Sequence, residues 1–227
     1  MTEIEAPAAT FWYRFGRFLC ALYYRCYHKL EVYDAENVPL RGPVLLAANH
    51  ASFLDPPLVG VAAPRPAHFM ARKTLFRSWL GGWLLPRIHC IPLDRDGGGA
   101  AGIKAALRLL EGGAALVIFP EGTRSEDGEL QPAKAGAGWL VLKAQVPVVP
   151  VRIWGTFQAM PKGGKARRSY LEVKFGRPMR FDPGEYRSSD RGAALRASQR
   201  IMDAIAELEP HPGAGRSGRS SAPTDRS

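Results

Sequence analysis

Three short apolar runs, two of which stop abruptly in polar loops, restrict the architecture of this chain more than any other feature. They open "GPVLLAANHASFLDPP" (42–57), "AALVIFPEGTRS" (114–125) and "VPVVPVRIWGT" (146–156). Each run is uncharged and too short for a typical helix, so each reads as a strand buried on both faces. Helical patterns separate them. "DPPLVGVAA" opens a helix, "GIKAALRLLEGG" sets Ile103, Leu107 and Leu110 on one stripe before a glycine stop, and "AGAGWLVLKAQ" is a third. Strands alternating with helices predict an α/β fold, a single domain whose mostly parallel or mixed sheet is covered by helices. A length of 227 residues suits one such domain with appendages.

The flanks extend this pattern. "EVYDAENVP" (31–39) reads as a further strand, and "WLGGWLLPRIHCIPLD" (79–94) as an apolar run broken by its glycines and Pro86. "YLEVKFGRPMRF" (170–181) alternates as a late strand, with Pro178 predicting a sheet edge or a strand terminus. "SDRGAALRASQRIMDAIAELE" (189–209) is a closing amphipathic helix with Ile201, Ile205 and Leu208 on one side. The domain is expected over 31–209, followed by a low-complexity tail, 210–227, whose composition predicts disorder.

The first thirty residues differ in character. "TFWYRFGRFLCALYYRCYHKL" (10–30) interleaves many aromatic rings with Arg14, Arg17, Arg25 and Lys29. Two readings stand: an amphipathic helix lying in a membrane interface, or a helix packed on the domain by its apolar face. The rings outnumber one stripe, which favours the interface. No run of eighteen uncharged apolar residues exists, so no transmembrane helix is expected, and acidic Glu3 and Glu5 ahead of the apolar part do not fit a secretory leader.

The net charge of +10 suits an anionic partner: nucleic acid, an anionic membrane surface or a phosphorylated small molecule. The cations are scattered and no nucleic-acid motif is present, so no nucleic-acid partner is expected. Three cysteines without a CxxC pair indicate a reducing compartment and neither a disulfide framework nor a zinc site. "DGGGAAG" (96–102) lacks the Lys-Ser/Thr of a phosphate loop and reads as a linker.

Chemistry concentrates where two of the buried runs end. His50 and Asp55 flank a strand-to-helix junction, at the sheet edge where α/β proteins bind ligands. A carboxylate one turn from an imidazole can fix its tautomer and raise its basicity, as a general base requires. Asp55 before Pro56 equally fits a helix N-cap, so for Asp55 alone both readings remain. The second loop offers Glu121, Gly122, Thr123 and Arg124: a glycine for close backbone approach and a planar cation for phosphate or carboxylate. Lys134 adds a further cation downstream.

"NHASFLD" (49–55) resembles the NHxxxxD signature of the glycerolipid acyltransferase family, and "FPEGTRS" (119–125) its second hallmark. "IPLDR" (91–95) resembles the intervening motif that ends in arginine, and "VPVVPV" (146–151) the proline-containing strand motif. All four stand in the family's order, most like its bacterial lysophosphatidate (1-acylglycerol-3-phosphate) branch. The chain departs from the pattern at His89 and Cys90, where small residues are expected.

The resemblance implies a glycerol-3-phosphate acyltransferase-like fold and transfer of a fatty acyl group to the free sn-2 hydroxyl of 1-acylglycerol 3-phosphate, giving phosphatidate. Acyl-CoA or acyl carrier protein would be the donor substrate, with no cofactor and no metal. His50 would be the general base, assisted by Asp55. The acceptor phosphate would rest on Arg95, Thr123 and Arg124, with Lys134 a weaker candidate. Glu121 would hold the loop or bond the glycerol, and backbone amides near the first loop or Gly122 are oxyanion candidates. The buried nucleophile of a serine enzyme is not needed, so Ser52 has no expected covalent role. Other acceptors (lyso-ornithine lipid, glycerol 3-phosphate, other lysophospholipids) or an idle lipid-binding scaffold are the alternatives. The expected location is the cytoplasmic face of the membrane, peripherally bound to its anionic surface. The apolar segment 75–93 would wall an acyl tunnel or serve as ordinary core.

Overall fold

In the computed structural model, which describes residues 9–93, 100–182, 184–185 and 190–212, the uncharged runs form the middle of a seven-stranded sheet. The strands are β1 (Lys29–Tyr33), β2 (Val44–Ala48), β3 (Ala67–Arg72), β4 (Cys90–Leu93), β5 (Ala115–Ile118), β6 (Val148–Trp154) and β7 (Tyr170–Phe175). Their order is β1-β7-β6-β2-β5-β3-β4, and every neighbouring pair is parallel except β6 and β7. The helices are α1 (Phe11–Cys26), α2 (Asp55–Ala62), α3 (Trp79–Arg87), α4 (Ala100–Glu111), α5 (Ala135–Ala144), short α6 (Thr156–Ala159) and α7 (Arg191–Ala206).

The direction of chain travel assigns each helix to a face. From β2 to β3 to β4 the chain moves toward one edge; from β4 to β5 to β6 it moves back. Parallel crossovers are right-handed, so the two directions put their helices on opposite sides. Accordingly Leu58 and Val59 of α2 pack with Val44, Leu46 and Val117 on one face, where α1 adds Tyr13 and Tyr24. On the other, Ala106 and Leu110 of α4, Leu140 and Val141 of α5 and Ile201 and Ile205 of α7 pack on Leu45, Leu116 and Val148. Leu208 lies beyond the end of α7 and is half-buried.

Helix α1 combines both sequence readings. Its inner side docks: Tyr24 Oη donates to Leu54 O at 2.8 Å, Tyr13 Oη accepts from Ala67 N at 3.0 Å, and Arg17 Nη2 donates to Ala63 O at 2.7 Å, closing the end of α2. Its outer side leaves Phe11, Phe15, Phe18, Leu19 and Leu22 exposed. Helix α3 continues that apolar surface. Trp83 meets Trp12 edge-on at 4.9 Å, while Trp79 is 86% exposed beside Leu75 and Leu80. Among the described residues no helix is long and apolar enough to cross a membrane.

Several local expectations need correction. Gly81 and Gly82 do not break the 79–94 run but lie inside α3, and Pro86 sits in its last turn. A Cβ on Gly81 would meet Leu75 O at 1.9 Å, so glycine lets α3 fold tightly on the turn before it. The late strand β7 is interior, between β1 and β6; Pro178 marks only the terminus, three residues past Phe175. His211, assigned to the tail, stacks on Tyr33 at 4.2 Å, and its amide donates to Glu172 Oε1. Residues 213–227, and 94–99, which hold Arg95 and the start of the glycine linker, lie outside the described residues.

Candidate active site

Loops leaving the carboxyl ends of β2, β5 and β6 meet at one sheet edge. Asn49 is the clamp. Its side chain donates to Ile153 O at 3.0 Å and accepts from Ile153 N at 2.7 Å, extending the β2–β6 pairing one residue past the strand. The backbone of His50 is thereby held. Its N–H donates to Glu121 Oε1 at 3.1 Å, and its carbonyl accepts from Ser125 N at 2.8 Å, so the two motif loops are bonded through this residue.

The His50 ring lies on Phe119, centroids 4.1 Å apart, with Nδ1 at 2.8 Å from Asp55 Oδ2. The same oxygen accepts the amides of Ala51 and Ser52, each at 2.7 Å. The N-cap reading of Asp55 is therefore wrong. Leu54 is the cap, and the carboxylate faces back into the loop, because Pro56 and Pro57 have no amide proton and that of Leu58 goes to Leu54 O at 3.0 Å. The imidazole keeps 15% side-chain exposure while Asp55 has none, so the pair presents only the histidine to a ligand. With Nδ1 bonded to the carboxylate, Nε2 is the nitrogen available to accept a proton.

Glu121 is buried, 1% exposed, and reaches inward to His50 rather than toward a ligand. Burial pushes its carboxyl up to about 7, opposed by the His50 amide and reinforced by Asp55. Arg152, on β6, partly offsets this with its field; its Nε and Nη1 are buried without hydrogen-bond partners among the described residues. The oxyanion candidates are already engaged, since Ala51 and Ser52 amides go to Asp55 and the Gly122 amide to Phe119 O at 2.9 Å. Ser52 is fully buried and donates to Met160 O at 2.7 Å, which makes it a brace.

Gly122 has φ +67°, a left-handed conformation, and a Cβ there would lie 2.9 Å from Lys134 Cδ. The exposed Lys134 side chain thus lies across the second loop, and its amide donates to Pro120 O at 2.9 Å. Thr123 is half-buried in the loop. Arg124 stacks its guanidinium 3.5 Å over the Phe53 ring, joining the two motifs from above. Burial and the positive field of Arg72, at the end of β3, lower its pKa, and Asp55 opposes them. The sequence reading missed Arg72 and Arg152; both lie on strands where the run of charge is too short to signal a site. Among the described residues no three His, Cys, Asp or Glu side chains gather as a metal site.

A cavity of about 290 Å³ begins at Pro56 and Pro57, in the turn that starts with Asp55. It runs between α1, α2, β3 and α3, lined by Cys20, Gly60, Val61, Phe69, Leu85 and Ile88 among others. His68 and His89 stack beyond it with Tyr13, at 4.5 and 4.4 Å, buried as packing groups.

Residues 29–154 match the family described as Acyltransferase. The chain is 32% identical over 185 residues to a 1-acyl-sn-glycerol-3-phosphate acyltransferase of Bacillus subtilis, covering 79% of this chain and 88% of that protein. A chloroplastic Brassica napus protein of the same name, BAT2, is 32% identical over 65% of this chain, which spans only 44% of that longer protein. The crystal structure of the 1-acyl-sn-glycerophosphate (LPA) acyltransferase PlsC of Thermotoga maritima superposes with a TM-score of 0.63 and 25% identity, covering 88% of this chain and 80% of that one. With the histidine–aspartate pair at the sheet edge and the matched segment spanning both motif loops, this chain belongs to the acyltransferase family.

Proposed function

We propose that this acyltransferase moves a fatty acyl group from a thioester, acyl-CoA or acyl carrier protein, to the sn-2 hydroxyl of 1-acylglycerol 3-phosphate, giving phosphatidate. The observation that carries the reading is the His50 Nδ1–Asp55 bond of 2.8 Å, with Arg124 close enough to feel the fields of both Asp55 and Arg72. Its logic is that of a catalytic triad in which the acceptor hydroxyl replaces the serine. His50 Nε2 takes the hydroxyl proton as that oxygen attacks the thioester carbonyl carbon, and Asp55 stabilises the imidazolium. Collapse breaks the carbon–sulfur bond; the leaving sulfur receives the proton from His50, so products are an ester and a free thiol. The acceptor phosphate binds Arg124, with Thr123, Lys134 and, from its position in the motif, Arg95. Arg72 joins them, and Gly122 allows the backbone to approach. Glu121 acts as a loop brace.

The cavity beside Asp55 is apolar and suits the acyl chain, whose tail would lie among the α1, α2 and α3 side chains. The exposed rings of α1 and α3 cover that same side of the sheet, with Arg14 and Arg25 among them. Such a face lies in the headgroup region of an anionic bilayer, at the cytoplasmic leaflet, and lets both amphiphilic substrates enter without crossing water.

The test is acyl transfer from labelled acyl-CoA and acyl carrier protein to lysophosphatidate, beside phosphate-free and headgroup-bearing acceptors. Preference for lysophosphatidate, lost in His50→Ala and shifted to high acceptor KM in Arg124→Ala, is the expected result. Transfer only to another acceptor overturns the substrate assignment, and turnover by His50→Ala overturns the general base.

A further inference from the structure

A second groove, of about 630 Å³, opens on the opposite side of the sheet from the aromatic face, between α4, α5 and the start of α7. Its floor is apolar (Ile103, Leu107), its wall is the Trp139 indole, and Lys104 and Arg191 stand at its rim. Gly136 leaves open space at the first turn of α5, with nothing within 4 Å of a Cβ built there. Among the described residues that line the groove none is acidic. Asp190, next to Arg191, has its carboxylate turned into its own helix, accepting from Ala193 N at 2.6 Å. A further cation, Lys143, stands 5.0 Å from the Trp139 ring.

We propose that this groove holds the nucleotide end of a coenzyme A thioester, the donor of the reaction proposed above and a reading on which this one rests. Three features select that occupant. An aromatic wall and apolar floor suit a purine ring, which stacks on indole. Cations from two different helices, with no acid among the described lining residues, complement phosphates on either side of that ring. The groove faces water rather than the apolar surface of α1 and α3, so its ligand arrives from solution and is not a bilayer lipid. The groove is also continuous with the chemistry. Ala135 lines it, and the preceding residue, Lys134, lays its side chain across Gly122 in the loop bonded to His50. A pantetheine arm leaving the groove along Lys134 would bring its sulfur to the sheet edge, while the acyl chain enters the cavity on the far side.

The probe is unacylated coenzyme A, titrated calorimetrically into the full chain, into the exposed double variant Lys104→Glu/Arg191→Glu and into Trp139→Ala. We expect coenzyme A affinity to fall at least tenfold in the double variant and at least fivefold in Trp139→Ala. In turnover the acyl-CoA KM rises to match, and the lysophosphatidate KM stays within twofold. Because the charge variants alter only exposed side chains, they remain interpretable if the tryptophan variant misfolds. Unchanged coenzyme A binding in the double variant overturns the assignment. So does a wild type that ignores coenzyme A while the double variant loses transfer from acyl carrier protein, which would make the groove a carrier-docking surface. If no acceptor is acylated yet coenzyme A binding still depends on Lys104 and Arg191, the groove assignment stands and the acceptor reading falls.

Discussion

Replacing Asp55 by asparagine separates its two duties. One carboxylate oxygen accepts from the His50 ring and from the Ala51 and Ser52 amides, at 2.7 to 2.8 Å, with the side chain fully buried. Asparagine can offer an oxygen in the same place, so the loop keeps its acceptor. Its amide nitrogen must then occupy the position of Oδ1, which is buried without a partner among the described residues. A stranded buried donor costs about 1–3 kcal/mol, which for a chain of this size lowers Tm by roughly 2–4 °C per kcal/mol. The kinetic loss is larger, because a neutral amide cannot stabilise the imidazolium. The matching change in a serine triad lowers turnover about 10⁴-fold, so we expect kcat to fall about 10³- to 10⁴-fold, or ~4–5.5 kcal/mol of transition-state stabilisation. Neither substrate's KM should change more than about threefold if binding is independent of this charge. Thermal melting and initial-rate transfer assays on one preparation measure both effects. A variant that melts early yet keeps kcat within about tenfold of wild type would show that Asp55 only braces the loop.

Three further outcomes are expected. Gly122→Ala forces a side chain onto a φ of +67° and against Lys134; at ~1–2 kcal/mol for the left-handed region, Tm should drop a few degrees and acceptor KM should rise, and an unchanged KM would remove this loop from the acceptor site. Gly60→Val narrows the cavity, where a Cβ already comes within 2.7 Å of Phe69 Cζ; donor preference should move to shorter acyl chains, and an identical chain-length profile would sink the cavity as an acyl pocket. Burial and the adjacent His89 push the His68 pKa from 6.5 down to about 4. Its neutral form is the one the fold accepts, so its contribution to stability is complete above the unfolded value and is lost as pH falls through that interval. Tm should therefore fall on acidification from pH 7.5 to 4.5, and less so in His68→Gln; equal losses in both would refute the assignment.

Much of the site was readable because its loops sit where apolar strands end. Val44–Ala48 and Ala115–Ile118 carry no polar side chain, so only a position inside a covered sheet accommodates them. Placing both there brings His50, Asp55, Gly122 and Arg124 to one edge. What escaped the sequence depends on where side chains turn. Asp55 looks like a helix cap until Pro56 and Pro57 are seen to offer no amide proton and Ala51 and Ser52 do. Glu121 reads as either a loop brace or a glycerol ligand, and its bond to the backbone of His50 is the loop contact. The aromatic segment reads as either bilayer or core, whereas Tyr13 and Tyr24 are buried and Phe11 and Phe18 exposed on a single helix.

The amino-acid sequence by itself determined the α/β layering, the two motif loops and the residue types of a general-base acyl transfer, because hydrophobic period and loop chemistry are local properties. Only the tertiary structure decided how the loops are joined. The Asn49 clamp on Ile153 spans 104 residues, and the His50–Glu121 bond spans 71. The Arg124–Phe53 stack and the field of Arg72 likewise cross strands that are not consecutive in the chain. The same strand order sends α1, α2 and α3 to one face and α4, α5 and α7 to the other, separating an apolar cavity from a basic groove. Such pairings follow from the order in which strands cross the sheet, and no stretch of sequence records that order.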